Sequence, residues 1–254
     1  MPSGEPKIPF KTFAILREFA GLVHGYSTRQ GGVSRAPYHW LNLGMHTGDD
    51  PERVRQNRRL YFEALGVPAD RLVFPEQVHG KRVEIVNEPG IVPQCDGLIT
   101  DQPNLYLTIQ TADCFPVFLL EEEQGVVALL HSGWRGTAAN IVAEAIRKMV
   151  AEFSVRPENM VAAVGAGIQQ TCYQVDAATA QRFDDRYLIP DGEDHFLLNV
   201  QANIVDQLIT AGIPADRIEA DATCTHCATD MYYSYRRDGR HSGRMMAVIG
   251  MGGK

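Results

Sequence analysis

Two apolar runs, residues 117–120 and 126–130, are separated only by Glu121-Glu122-Glu123-Gln124-Gly125. So short a link joins antiparallel neighbours, because a parallel crossover needs about a dozen residues. The pairing predicts a hairpin, with the acidic link as its solvated turn. Further strand-sized runs cover residues 105–110, 161–164 and 246–249.

Three helices stand out. Asp50-Pro51-Glu52 supplies a carboxylate cap, a proline at the first helical position and an acid at the positive end of the dipole. That helix runs to about Leu65, with Gly66 as its stop and Pro68 beyond. A second begins after Thr137, with Ile141, Val142, Ala145, Ile146, Met149, Val150 and Phe153 at helical spacing. A third covers residues 200–210, with Ile204, Val205, Leu208 and Ile209 on one side and Gly212 ending it. Helices and strands do not alternate regularly and a hairpin is present, so the expected class is α+β with a mixed sheet. No linker or repeat divides the chain, and a single domain over residues 1–254 is the expectation.

Composition removes several function classes. With 44% hydrophobic and 22% charged residues, the chain is neither disordered, collagen-like nor disulfide-dense. Its 24 basic against 31 acidic residues give a net charge of −7, without the basic footprint of a nucleic-acid binder. The longest apolar runs are too short to span a membrane. The first seven residues lack the apolar core of a secretory peptide, and five scattered cysteines suit a reducing compartment. A compact cytoplasmic monomer is the expectation.

Chemistry concentrates in Gln77-Val78-His79-Gly80, Thr111-Ala112-Asp113-Cys114 and His131-Ser132-Gly133-Trp134-Arg135-Gly136-Thr137. Cys114 and His131 each sit where a strand-like run meets a loop, and hairpin-linked strands would bring them together. One thiolate and two imidazoles make three Zn²⁺ ligands, as at catalytic sites that keep a fourth position for water or substrate. The spacings of 35 and 17 residues form no short metal signature, so a buried free thiol beside two unrelated histidines competes with that reading. The glycine-rich turn after His131, with Thr137 as an N-cap and Arg135 on the same loop, reads as a phosphate or oxyanion site. Arg29 and Asn42, on polar loops near the N-terminus, are candidates to hold a polar substrate.

Cys224-Thr225-His226-Cys227 has the C-x-x-C form of a zinc knuckle or redox motif. No second C-x-x-C completes it and His241 is not at finger spacing, so it reads as a structural turn. Cys95 and Cys172 read as buried free thiols, and His24, His39, His46 and His195 as structural.

Taken together, Gly25-Tyr26-Ser27-Thr28-Arg29-Gln30-Gly31-Gly32-Val33-Ser34, Leu41-Asn42-Leu43-Gly44, Gly48-Asp49-Asp50-Pro51, Gln77-Val78-His79-Gly80, Asp96-Gly97-Leu98-Ile99-Thr100, Thr111-Ala112-Asp113-Cys114, His131-Ser132-Gly133-Trp134-Arg135-Gly136 and Tyr235-Arg236-Arg237-Asp238 resemble the YfiH-like laccase-domain family. The match runs from about residue 20 to the C-terminus. Members of that family carried the label polyphenol oxidase and are now described as purine nucleoside phosphorylases with adenosine deaminase activity. The resemblance implies a single domain with a mixed β-sandwich core flanked by helices. It also implies a zinc site at His79, Cys114 and His131. Arg29, Asn42 and Arg135 match the family motifs; we read Cys114, His131 and Arg135 as acting in catalysis and Arg29, Asn42 and Arg135 as holding substrate. Its implied reactions are phosphorolysis of adenosine, inosine and 5′-methylthioadenosine and deamination of adenosine, with nucleoside and phosphate as ligands.

Three other readings use the same residues. A cysteine hydrolase or amidase would employ Cys114 activated by His131, a chemistry suited to the peptidoglycan-precursor editing attached to some relatives. Copper could occupy the three ligands, but a multicopper oxidase needs roughly ten histidines, many in H-x-H pairs. This chain has eight and no such pair. A non-enzymatic binding protein would account for an anion pocket but not for a thiol and two histidines meeting beside it.

Overall fold

The computed structural model describes residues 8–253. The hairpin forms as expected: Phe115–Glu121 pairs antiparallel with Val126–Ser132 from Phe115↔Ser132 to Glu121↔Val126. Every residue of both strands is buried. Glu121 is the departure, because it ends the strand and accepts a hydrogen bond from the Gln124 amide, so the solvated turn starts one residue later.

Burial on both faces follows from four layers. Val117, Leu119, Ala128 and Leu130 face the helices Ile141–Phe153 and Val200–Thr210. Phe118, Leu120, Val127 and Leu129 face a second sheet through Leu107, Ile109, Ala247 and Ile249. The outer side of that second sheet, through Tyr106, Met246 and Val248, meets Tyr61 and Phe62 of the Pro51–Leu65 helix. The period-2 alternation of a strand thus divides one apolar run between two cores.

The hairpin sheet has the order Ile218–Ala220, Val161–Val164, Phe115–Glu121, Val126–Ser132, Gly97–Thr100, Val83–Ile85. The facing sheet runs Phe10–Lys11, Leu22–Ser27, Met245–Met251, Tyr106–Thr111, Leu72–Pro75, Gly90–Val92. Both mix parallel and antiparallel pairs. A small third sheet joins Gln174–Asp176, His195–Leu198 and Leu188–Pro190. The architecture is the mixed sandwich flanked by helices that the resemblance implied.

The Pro51–Leu65 helix has the expected ends, with the Asp50 carboxylate accepting from the Glu52 amide and Gly66 left-handed. The second helix corrects the sequence reading. Thr137 is not an N-cap; it lies inside the short helix Trp134–Ala138, whose cap is Gly133. The long helix makes a fresh start at Asn140, which adopts φ 57° and accepts from the Ala143 amide. Asparagine is among the few residues that tolerate both roles. Val150 and Ile209 are 41% and 43% exposed, so each helix buries a narrower stripe than its periodicity implies.

Candidate metal centre

The centre lies at the end of the sandwich opposite the 122–125 turn, where the hairpin strands begin and finish. Cys114 immediately precedes Phe115–Glu121 and His131 lies near the end of Val126–Ser132. Pro116 pairs with His131, so Cys114 is diagonal to that histidine. His79 arrives on a loop with φ 60°. The ligand atoms of His79, Cys114 and His131 all lie within 4.8 Å of one another. The two imidazoles meet edge to face with ring centroids 4.8 Å apart.

Asp96 organises both histidines. Its fully buried carboxylate accepts from the amides of Val78, His79 and Gly80 at 3.2, 2.9 and 2.7 Å. The same group lies 2.8 Å from Nδ1 of His131. With the Nδ1 proton held there, Nε2 is left as the donor, the arrangement typical of metal-bound histidine. Burial works against the charged carboxylate, but His131 and the loop amides outweigh it and hold Asp96 below the usual carboxylate range.

Cys114 and His131 form a coupled pair. Burial would push the thiol up, yet the His131 charge and hydrogen bonds from both histidines bring it down to about 6. Burial likewise opposes the His131 cation, while the Cys114 thiolate and Asp96 raise the imidazole to about 9. A thiolate among two imidazoles is a strong donor set for a borderline-soft cation. Gly133 makes room for it: a Cβ there would stand 2.6 Å from the Cys114 sulfur and 3.8 Å from the His79 ring. The donor chemistry and this glycine-lined cradle fit a bound metal ion.

Beside the centre is a cleft of ≈ 550 Å³ lined by His79, Gly80, Lys81, Trp134, Arg135, Ala138, Ala139 and Arg182. The Arg135 guanidinium lies 4.3 Å from the Trp134 ring centroid and that of Arg182 at 5.9 Å. Among the described residues, three exposed cations and no carboxylate line this space. The positive charge at this cleft is therefore carried by side chains, and no helix starts at Thr137.

Arg29 and Asn42 are both engaged in internal contacts. Asn42 is fully buried; its amide nitrogen donates to Thr47 and Asp49 and its oxygen accepts from Gly44 and Arg244. Arg29 donates to the carbonyls of His39 and Thr229 and stacks 4.7 Å from the Tyr233 ring centroid. Both tie loops together.

Asp96, Lys81 and Arg182 were not legible as site residues. Asp96 stands 17 and 35 residues from the two histidines, and only the fold joins them. Asp113, with φ 91°, was also missed; its carboxylate accepts from Thr225 Oγ1 at 2.7 Å and the Arg236 amide at 2.7 Å, fixing the loop that presents Cys114. A positive φ at a non-glycine residue beside a candidate ligand leaves no sequence signal.

Comparison with known proteins finds relatives over nearly the whole chain. Residues 23–252 match the family model described as multi-copper polyphenol oxidoreductase laccase. The protein named purine nucleoside phosphorylase YlmD from Geobacillus stearothermophilus is 34% identical over 251 residues, covering 91% of each chain. One named purine nucleoside phosphorylase from Deinococcus radiodurans is 38% identical over 233 residues, covering 90% of this chain and 88% of its own. The crystal structure of the hypothetical protein YfiH from Bacillus licheniformis superposes with a TM-score of 0.90 at 30% identity, covering 96% of this chain and 99% of its own. The chain belongs to this laccase-domain family, alongside the YfiH and YlmD proteins.

Proposed function

We propose that the chain is a zinc-dependent purine nucleoside phosphorylase that also deaminates adenosine, with adenosine, inosine and 5′-methylthioadenosine as phosphorolysis substrates. One observation carries the reading: two imidazoles and a thiolate converge within 4.8 Å at the edge of a cleft lined by Lys81, Arg135 and Arg182. The relatives' name, purine nucleoside phosphorylase, supports it.

His79, Cys114 and His131 would hold the ion, which would supply Lewis acidity for activating water or phosphate. Asp96 keeps the Nδ1 proton on His131 and so directs its free lone pair inward. Lys81, Arg135 and Arg182 neutralise an incoming phosphate and hold it close to the nucleoside. In phosphorolysis a phosphate oxygen bonds to C1′ of the ribose. The bond to the purine breaks, and its electron pair leaves with the base. Trp134 offers a flat apolar wall for the nucleoside.

The test is product analysis. Adenosine with phosphate should give adenine and ribose 1-phosphate, and without phosphate it should give inosine. Both activities should disappear in His131→Ala and after chelation; the chelated protein should recover them with added Zn²⁺. Adenosine left intact by the zinc-loaded protein would overturn the assignment.

Cys114, His131 and Asp96 also have the order of a nucleophile–base–orienter triad, which favours a cysteine hydrolase as the second reading. His79 argues against it, because a triad has no use for a second imidazole bonded to the thiolate. Hydrolase activity that survives complete chelation would reverse that ranking.

A further inference from the structure

Far along the chain from the first centre, a second group of metal-type donors comes together. Cys172 ends the short turn Gln170–Cys172, and His226 and Cys227 lie on the turn that begins at Cys224. Ligand atoms of Cys172, His226 and Cys227 all lie within 4.8 Å of one another. The sulfurs of Cys172 and Cys227 are 3.2 Å apart although 55 residues separate them. Cys172 is thus not the buried isolated thiol expected from sequence; it is half-buried against an exposed Cys227.

Cys224 is not one of these three mutually close donors, but its sulfur lies next to them. Its sulfur accepts from the Gln169 amide at 3.4 Å and faces the amides of His226 and Cys227 as well as the Cys172 side chain. The turn is also fixed from outside. Arg237 donates to the carbonyls of Thr225, His226 and Tyr232, and the Thr225 amide bonds Gly167. Three mutually close donors from two segments so restrained, with a nitrogen among them and the Cys224 sulfur alongside, exceed what a disulfide requires. Three thiolates and one imidazole are the donor set of closed structural zinc sites.

We propose that Cys172, Cys224, His226 and Cys227 hold a structural Zn²⁺ that clips the 170–172 turn to the 224–227 turn. Nothing in this inference depends on the nucleoside chemistry. Its consequence reaches the first centre all the same, because Thr225 donates to Asp113 beside Cys114. The clip braces the loop that presents that ligand, and its residues are positioning residues.

The decisive measurement is zinc content of the full chain after dialysis against metal-free buffer. Two equivalents are expected in the wild type, one in Cys114→Ser, and one in the double variant C172S/C227S. If the nucleoside-site assignment alone fails, the wild type and Cys114→Ser both hold one equivalent and C172S/C227S holds none. A double variant with the same zinc content as wild type overturns the clip.

Should C172S/C227S fail to fold, alkylation of the native wild type decides. Exposed Cys227 should resist iodoacetamide until a strong chelator is added, without any reductant. Immediate labelling overturns the proposal, as does labelling that appears only after reduction, which would mark a Cys172–Cys227 disulfide. Cobalt substitution in Cys114→Ser, where the first centre has lost its sulfur, should give a thiolate charge-transfer band of three-sulfur intensity. No band, or one of single-sulfur intensity, counts against the clip.

Discussion

Asp96 shows how one side chain can determine a centre it does not enter. It holds three amides of the His79 loop and the Nδ1 proton of His131 together. Asp96→Asn keeps the shape but offers one acceptor oxygen in place of two and an amide where His131 needs an acceptor. Loss of such a partner typically costs about 10–100-fold in metal affinity. Competition with a graded chelator should show that loss, and unchanged affinity would remove Asp96 from the centre. Gly133→Ala makes a separate steric test. The added methyl would stand 2.6 Å from the Cys114 sulfur, inside any tolerated contact, so the thiolate must move. Metal content should fall sharply while the cooperative unfolding transition stays, since the neighbours on that side are ligands and not core. At this scale the sequence was informative about donor type and silent about partners. Cys114 and His131 were legible because each lies at the boundary of an apolar run. Asp96, Lys81 and Arg182 were not, because carboxylates and cations on loops are ordinary until the fold converges them. Asn42 shows the same limit, since a polar loop residue and a buried loop fastener look identical in one dimension.

Among the elements, the errors fall at boundaries. The stripe from Ile141 to Phe153 named its helix, but periodicity cannot say where a chain restarts. Thr137 is a good capping residue whose hydroxyl instead donates to the Gly133 carbonyl inside the preceding short helix. Asn140 does the capping, in a left-handed conformation that a branched or bulky residue resists. Asn140→Ala therefore removes the bond to the Ala143 amide and adds backbone strain, a loss of about 1–2 kcal/mol. Asn140→Gly loses the same bond but relieves the strain and should fall between the two. Urea denaturation of the three proteins checks that order, and an alanine variant as stable as wild type would return the cap to Thr137. The hairpin was the best-read element because its partners are five residues apart and its turn announces itself.

The sheet order of the whole molecule was beyond reach of local pattern. Strand periodicity says which residues share a face, but Met245–Met251 pairs with Leu22–Ser27 across the length of the chain. That long-range pairing places His24 where acid would be felt globally. His24 is buried, its ring stacks on Phe13, and Phe13 packs 5.1 Å from Phe118 of the opposite sheet. The Phe13 amide donates to Nε2, a bond only an unprotonated nitrogen can accept. Burial holds the imidazole down to about 4, against an ordinary value of 6.5. The unfolded chain therefore binds this proton first, and stability falls as pH drops from the unfolded value toward the folded one. Between about pH 7.5 and about pH 4.5 the loss from this group alone is about 2–3 kcal/mol, a large share of a typical domain's margin of about 5–15 kcal/mol. His24→Gln keeps an acceptor and removes the titration. Its unfolding free energy should decline less steeply than wild type by that amount, while other acid-sensitive groups such as Asp96 contribute equally to both proteins and cancel. Parallel pH profiles would mean that the proton enters without opening the sandwich, and that burial of this histidine is not what limits the molecule in acid.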